Sequence, residues 1–255
     1  MASIIKGNFD MDTQFDFTSD SPRYWDNFWE NRDGLGAGNS DPDVCSKTLQ
    51  KYHQMLWSKA LPNGEYMDLK TGSGNRYLTW KEFRFGSDSI TASFRYKDYK
   101  LIKEIEKTIP DYHSFMEEFL RKTYTMGGMM IFPKRRGGIN QARGFHAQIR
   151  DRWDLTLECI RRYYLHEESP LYYILQVDKP FFDLFVDFKG FVEFFYLQDC
   201  VNVGDYSVIF WLGDGDFHQK PLPESIDDYI IWMNYNLEFV KRRNKRIQKA
   251  MNLDK

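Results

Sequence analysis

The sequence has few cysteines and no long apolar run. Among 255 residues the cysteines are Cys45, Cys159 and Cys200, an odd number without CxxC spacing, which is typical of reduced thiols in a cytoplasmic protein. The most apolar stretch, residues 180–212, is interrupted by charged side chains, which argues against a membrane span. The opening MASIIKGNFDMD lacks the apolar centre of a signal peptide. We therefore expect a cytoplasmic protein without a membrane partner.

The sequence also lacks a strong net charge and any cofactor signature. The formal charge of −2 excludes a globally basic nucleic-acid-binding protein. No GK[ST] and no GxSxG occurs, so the chain gives no indication of a phosphate-binding loop or of a serine nucleophile. Cys159 reads most simply as a small packing residue. We expect no cofactor.

What the chain does have is an aromatic-rich, globular composition. Apolar residues make up 42% and aromatic residues 17%, so the rings must be buried or form a binding surface. The length fits one large domain or two small ones, and we favour a single α+β domain over residues 1–255. Within it we expect a flexible loop at about 32–42 and a solvated basic tail at about 244–255.

The order of the predicted elements indicates the α+β class. A helix is expected from Asp43, and two more lie in residues 98–124, divided at Pro110, with Asp111 as the cap of the second. A last helix should start at Ser225. Short runs rich in β-branched and aromatic residues predict strands at 7–17, 66–71, 75–85, 89–96 and 206–211, and residues 127–133 are either a short buried strand or a connector. The result is an antiparallel meander in the N-terminal half packed against several helices.

The segment Ile139–His166 is the most regular part of the chain. On a helix over 149–164, one apolar face would consist of Ile149, Trp153, Leu157, Ile160 and Tyr164. Beside that face, opposite charges four residues apart predict the ion pairs Arg150 to Asp154 and Glu158 to Arg162. The segment therefore predicts a central amphipathic helix with half-buried charges along one edge.

Basic residues concentrate around this helix. Residues 134–162 hold eight Arg or Lys against three Asp or Glu, and guanidinium groups at a Gly-rich turn suit phosphate. The predicted ligand-binding residues are Lys134, Arg136, Arg143, Arg150 and Arg152. Arg143 and Arg150 are the strongest candidates, since small neighbours flank Arg143 and Arg150 falls at the half-buried edge. The alternative is that the arginines pair with Asp151, Asp154 and Glu158 inside the fold.

Two weaker patterns concern catalysis and metal binding. The spacing of Arg161 and His166 resembles that of the helical HEPN ribonucleases, which implies a proton-transferring His and an Arg that stabilises phosphorane charge. Carboxylates and a histidine around a GDGD turn could hold a hard cation, but this pattern is more typical of a plain turn. They are Asp205, Asp214, Asp216 and His218. We expect no metal site.

Three runs carry a resemblance to a known family. YTMGGMMIFPKRRGGINQARG, IRDRWDLTLECIRRYY and FVDFKGFVEFFYLQD resemble a family of uncharacterised bacterial and prophage-borne proteins, over most of the chain. This resemblance implies no reaction, substrate or cofactor. The YTMGG…IN element also resembles the TIGN…LN stretch of some HNH-type nucleases, which need an upstream His motif; here only Asp111-Tyr112-His113 is available.

These patterns lead to one hypothesis and two alternatives. The hypothesis is a cytoplasmic protein whose Arg-rich centre binds an anionic ligand, a nucleotide or a nucleic-acid phosphate, in a phage or mobile-element setting. The first alternative is a non-catalytic module that binds another protein through exposed aromatic residues. The second is a nuclease.

Overall fold

The computed structural model describes residues 11–31, 37–71, 78–96 and 98–253. The helices in these ranges are α1 (Tyr24–Glu30), α2 (Pro42–Cys45), α3 (Lys47–Trp57), α4 (Ile102–Thr108), α5 (Tyr112–Thr123), α6 (Ile139–Phe145), α7 (Trp153–Tyr164), α8 (Tyr172–Val177), α9 (Lys179–Phe182), α10 (Phe188–Phe194) and α11 (Ile226–Leu253). The strands are β1 (Lys70–Thr71), β2 (Leu78–Trp80), β3 (Phe83–Ser89) and β4 (Met129–Pro133). Single 3-10 turns lie at Phe17–Asp20, Gly38–Ser40, Met126–Gly128, Asp183–Phe185 and Gln198–Cys200.

The four strands form one antiparallel sheet in the order β1-β2-β3-β4, so the predicted α+β class is confirmed. The predicted strand at 89–96 is wrong, because β3 ends at Ser89. The strand that pairs with β3 on the side away from β2 is β4. The run after Ser89 contains Phe94 at φ 54°, a left-handed conformation that an extended strand does not accommodate. Its apolar residues are nevertheless buried, as Ile90 and Phe94 show.

Other strand predictions differ from the structure in the same way. Residues 206–211 form only an isolated bridge between Val201 and Val208, after Tyr206 at φ 56°. Of the predicted strand 7–17, residues 7–10 lie outside the described residues, and 11–17 carry no strand. The predicted loop 32–42 is likewise described only from Ala37, which is buried ahead of a 3-10 turn and α2.

Aromatic rings fill the interior. The buried apolar residues form one cluster that runs from Met11 to Ile247. Rings from the α9 to α10 region meet in it, with the Phe185 centroid 5.1 Å from those of Phe181 and Phe195, and Trp57 of α3 lies 5.0 Å from Phe195. The high aromatic share of the sequence is therefore mostly core.

The predicted helix starts are confirmed by their caps. Asp111 accepts a hydrogen bond from Ser114 N at 3.3 Å ahead of α5, and Ser225 Oγ accepts one from Asp228 N at 3.1 Å ahead of α11. Each side chain satisfies an amide that the first helical turn leaves without a carbonyl partner.

The central helix is shorter than predicted. Helix α7 begins at Trp153 instead of residue 149, because Arg150 and Asp151 have φ of 44° and 66° and the chain turns there. Ile149, Trp153 and Ile160 are all fully buried. The predicted apolar face is thus core, although Ile149 reaches it from the turn and not from the helix.

The predicted tail is helical up to Leu253, because α11 continues through it, and the expectation of a solvated tail is wrong for the residues that pack inward. Arg243, Asn244 and Ile247 are buried. Asn244 Oδ1 accepts from Gly127 N at 2.6 Å, and a Cβ on Gly127 would lie 2.4 Å from the Val240 carbonyl oxygen. The glycine therefore permits the close approach of α11 to the turn before β4.

Arg243 has carbonyl oxygens as its hydrogen-bond acceptors. Its Nη1 donates to the carbonyls of Gly127 and Met129 at 2.8 and 3.0 Å, and its Nε donates to Phe195 O at 3.1 Å. Burial lowers the pKa of this guanidinium to about 9. The C-terminal helix is consequently joined to both β4 and the aromatic core.

We predict that the tail contributes to stability. Ile247→Ala should lower the free energy of unfolding by about 2–5 kcal/mol, because it opens a cavity in the core. The matched control Lys245→Ala, on the exposed side of the same helix, should change it by about 0.5 kcal/mol or less. Urea denaturation followed by tryptophan fluorescence measures both, and equal stability of the two variants would contradict the packing of α11.

Candidate functional site

Arg143, the strongest predicted ligand residue, lies inside the protein. Its side chain at the end of α6 is 1% exposed and contacts Asp88 at 3.1 Å and Asp151 at 2.8 Å. Its Nη1 also donates to Ser89 O at 2.9 Å, and its Nη2 to Asp151 O at 3.1 Å. Burial alone would lower the pKa of Arg143, but Asp151 and Asp88 raise it.

Arg150 and Arg152 also have carboxylate partners. Arg150 binds Asp98 through both Nη atoms, at 2.8 and 2.6 Å, and its guanidinium lies 4.3 Å from the ring centre of Tyr96. The predicted pair of Arg150 with Asp154 is wrong, because Arg150 stands outside α7. Asp154 instead binds the buried Arg152, at 3.0 and 2.5 Å.

Glu158 holds two arginines of α7. The predicted pair with Arg162 is confirmed at 2.8 Å, and Arg161 contacts the same carboxylate at 2.8 and 3.1 Å. The hydrogen bond to Glu158 raises the pKa of Arg161. His166 lies exposed just beyond the helix, at φ 60°. The arginine of the HEPN-like spacing is therefore already engaged by an acid.

Lys134 and Arg136 lie on the turn after β4. Both side chains are exposed and form no ion pair with the described part of the chain, whereas Arg135 between them binds Asp178 at 2.8 Å. The predicted ligand residues thus do not converge on one pocket: three are paired with carboxylates, and two are free at a separate turn.

The carboxylates that hold Arg143 open onto a cavity of about 230 Å³, which we call the inner chamber. Four carboxylates line it: Asp41 and Asp43 from the start of α2, Asp88 from β3, and Asp151 from the turn before α7. Asp88 and Asp151 are 18% and 30% exposed. The inner chamber is therefore acidic and reachable by solvent.

Burial raises the pKa of all four carboxyl groups. The pKa of Asp88 rises to about 7 even though Arg143 opposes the rise. For Asp43, burial acts first, then the neighbouring Asp41 and Asp88. For Asp41 and Asp151 burial is the largest cause. Several carboxyl groups in one small cavity oppose one another's ionisation, so the fold favours their protonated forms.

A larger open cavity of about 1070 Å³, the outer groove, adjoins the inner chamber. Arg95 and Tyr96 line both cavities, so the two share part of their walls, and we refer to them together as the cleft. The far wall of the outer groove is α4, with Lys103 and Lys107 one turn apart and exposed. Glu106, Asp111, His113 and Trp29 complete the polar and aromatic lining.

Arg95 is fixed by aromatic rings. Its guanidinium lies 4.3 Å from the Phe28 ring centre and 4.7 Å from that of Trp29, and Nη1 donates to Phe28 O at 3.0 Å. Trp29 stacks at 4.0 Å on His113, the histidine of the Asp111-Tyr112-His113 run. Burial lowers the pKa of Arg95. The Arg95 guanidinium is thus held by ring contacts and a hydrogen bond where the two cavities meet.

The sequence patterns did not single out the residues of this cleft. Asp41 and Asp43 flank a proline in what reads as a loop, and Asp88 lies in a strand that carries no motif. Their meeting depends on tertiary contacts, because Arg143 and Asp88 are 55 positions apart.

The remaining candidates form no site. Asp214 and Asp216 accept backbone hydrogen bonds within their own turn, at 3.1 and 2.9 Å. No group of three His, Cys, Asp or Glu in the described ranges is arranged to hold a metal ion. Cys159 is buried, and burial raises the pKa of its thiol to about 12.

Fold and site together define an α+β protein with a two-compartment cleft, acidic inside and basic outside. The chain belongs to a family of unknown function, DUF6994, whose profile matches residues 11–247. Comparison with curated proteins and with solved structures finds no match. In the described part of the chain, no helix is both long and apolar enough to cross a membrane.

We predict different roles for the two strongest arginine candidates. Arg143→Met should lower the free energy of unfolding by about 3–5 kcal/mol, because it leaves Asp88 and Asp151 buried without a cation. Arg150→Met should cost about 1 kcal/mol or less, since Asp98 is 70% exposed. Chemical denaturation of the two variants compares them, and an equally stable Arg143→Met protein would contradict the structural role of this buried pair.

We also predict an unusual pH dependence of stability. An unfolded Asp titrates at about 3.9, so between that value and about 7 the folded state binds the Asp88 proton and the unfolded state does not. Stability therefore falls as pH rises across this interval and levels off above about 7. His53 has the opposite effect on stability below about pH 6.5. Burial lowers its pKa to about 3 in the fold, so its contribution to stability decreases as the pH falls.

The test therefore spans about pH 6.5 to 7.5, the upper end of the Asp88 interval, where the contribution of His53 has faded. Wild type should lose more stability across this range than Asp88→Asn, as measured by thermal unfolding. Asp98→Asn is the matched control: the hydrogen bond from Arg150 lowers the pKa of Asp98, so this carboxyl titrates below the range. Parallel curves for wild type and Asp88→Asn would refute the raised pKa of Asp88.

Proposed function

We propose that the protein binds a small anionic ligand of the nucleotide class in the cleft formed by the inner chamber and the outer groove. One observation carries the proposal: Arg95 and Tyr96 line both compartments, so a single ligand can contact the basic wall and the acidic wall at once. Concave sites with a few convergent polar groups and perturbed pKa values are where ligands generally bind.

The outer groove offers the cations. Lys103 and Lys107 are exposed and have no ion-pair partner in the described ranges, and Arg95 faces the same cavity. Glu106 and Asp111 also line the groove, so its cations outnumber its acids by one, three against two. A phosphate held between α4 and Arg95 would meet charge-assisted donors.

The inner chamber suits the end of the ligand that lies away from the phosphate. Its carboxyl oxygens accept hydrogen bonds, which favours amino or hydroxyl groups over further anions. A nucleotide carries both kinds of group, phosphate at one end and sugar hydroxyls or a base amino group at the other. The proposal thus retains the predicted anionic ligand but moves its anchor away from Arg143 and Arg152, which already have carboxylate partners.

The remaining predicted residues have lesser parts in this proposal. Arg150 stands behind Tyr96 and supports the cleft wall. Lys134 and Arg136 are exposed on the turn after β4, without an ion pair in the described ranges, and could add a nucleic-acid phosphate contact there. On the sequence resemblance alone, we propose that the protein works in the cytoplasm of a bacterium or in a prophage setting.

A second candidate function is that of a protein-interaction module. Tyr173 and Val177 of α8 are 81% and 64% exposed and lie four residues apart, hence on one face, and Phe145 of the contacting α6 is 72% exposed. Added salt separates the two functions, because phosphate contacts weaken steeply with salt and an apolar contact does not.

We predict that calorimetric titration will detect binding of a nucleoside monophosphate in the series AMP, GMP, CMP and UMP, or of a short RNA or DNA. The double variant Lys103→Ala/Lys107→Ala should weaken binding at least tenfold, or about 1.4 kcal/mol. The control Lys245→Ala/Lys249→Ala removes two exposed lysines at the same spacing from α11 and should bind like wild type.

Inorganic phosphate separates the two compartments. It needs only the outer groove, so Asp88→Asn should weaken nucleotide binding while phosphate binding stays as in wild type. A wild-type protein that binds none of these probes, or two double variants that bind equally, would refute the proposal and favour the interaction module.

A further inference from the structure

A serine, a histidine and an aspartate meet next to the inner chamber. His53 Nε2 lies 2.9 Å from Ser87 Oγ, and Ser87 Oγ donates to Asp43 Oδ1 at 2.6 Å. The residue types are those of a nucleophile, a base and an acid. Their hydrogen-bond directions, however, give the set a different role.

Trp57 fixes the donor and acceptor at each hydrogen bond of this series. Its Nε1 lies 3.0 Å from His53 Nδ1, and an indole N–H can only donate, so Nδ1 must accept. The neutral ring then carries its proton on Nε2 and donates it to Ser87. Burial, followed by the nearby Arg243, lowers the pKa of His53 to about 3, so the ring stays neutral.

His53 consequently cannot act as the base of a nucleophilic serine. The nitrogen that faces Ser87 is already protonated, and the hydroxyl proton of Ser87 points to Asp43. Donation runs one way, from Trp57 through His53 and Ser87 to Asp43. Ser89, two residues further along the same face of β3, donates its N–H to Asp43 Oδ2 at 3.1 Å.

We infer that Trp57, His53 and Ser87 form a one-way hydrogen-bond chain that positions Asp43 in the wall of the inner chamber. Oδ1 of Asp43 accepts from Ser87 and Oδ2 accepts from the Ser89 N–H, so a ligand donor would be recognised by the remaining lone pair of Oδ2. Ser87 and His53 are positioning residues, and they contact no ligand themselves. The part of this inference that concerns ligand recognition rests on the proposed function; the part that concerns Asp43 does not.

The charged surroundings of Asp43 set the direction of the expected effect. Asp41 from its own segment and Asp88 from β3 disfavour its ionised form, and Ser87 and Ser89 favour it. Tyr124, at the end of α5, donates to Asp41 at 3.1 Å, and Tyr24 of α1 lies in the field of Asp41 and Asp43. Arg143 forms its ion pairs with Asp88 and Asp151. Removal of the Ser87 hydroxyl should therefore raise the pKa of Asp43.

Carbon-detected NMR of protein labelled with carboxyl-¹³C aspartate tests this directly. Asp43→Asn identifies the resonance of Asp43, and its titration is then compared in wild type, Ser87→Ala and Ser87→Thr. We expect an upward shift of the midpoint in Ser87→Ala and a wild-type midpoint in Ser87→Thr, which keeps the hydroxyl. A loss of packing alone would change the melting temperature without restoring the midpoint in the threonine variant.

Two outcomes overturn the inference: an unchanged Asp43 midpoint in Ser87→Ala, or a Ser87→Thr midpoint that shifts as far as that of Ser87→Ala. If Ser87→Ala does not fold, Ser87→Thr against Ser87→Val gives the same comparison of hydroxyl and methyl. Titration with AMP at several pH values forms a separate arm. Failure of AMP to bind counts against the proposed function and leaves the NMR result on Asp43 standing.

Discussion

The buried guanidinium of Arg143 is the constraint on which the centre of this protein depends. A permanent charge out of water requires carboxylates, and Arg143 takes one from β3 and one from the turn before α7. It thereby joins the sheet, α6 and the start of α7. Asp88 and Asp151 in turn face a cavity with two more acids, so the pairing of one arginine also produces the acidic inner chamber.

The sequence patterns correctly predicted those features that depend on contacts between residues close together in the chain. The α+β class, the body of α7 and the caps of α5 and α11 follow from periodicity and from side chains that reach three residues along the chain. The start of α7 did not follow, because Arg150 and Asp151 are left-handed and contact Asp98 and Arg143, which helical spacing does not predict. The extent of a single domain stays a prediction.

Charge was the least reliable guide to position. The basic run near the C-terminus was expected in solvent, yet Arg243 is fully buried and bound by three carbonyls, while Arg246 pairs with Asp199 at 2.9 Å. A long side chain with several N–H donors can form all its hydrogen bonds with backbone carbonyl oxygens. No spacing rule in the sequence predicts which arginine will be buried in this way. The cleft was missed for the same reason: Asp41, Asp88 and Arg95 acquire a role only from their tertiary neighbours.

The separation of charge within the cleft follows from these same constraints. Acids gather inside because Arg143 and the donors of β3 hold them there, and the lysines of α4 stay outside because nothing buried pairs with them. Arg95 packs against the rings of Phe28 and Trp29, which hold its guanidinium at the boundary between the acids and the lysines. A ligand with one anionic end would therefore enter in a single orientation, with that end toward α4 and its hydrogen-bond donors toward Asp88 and Asp43.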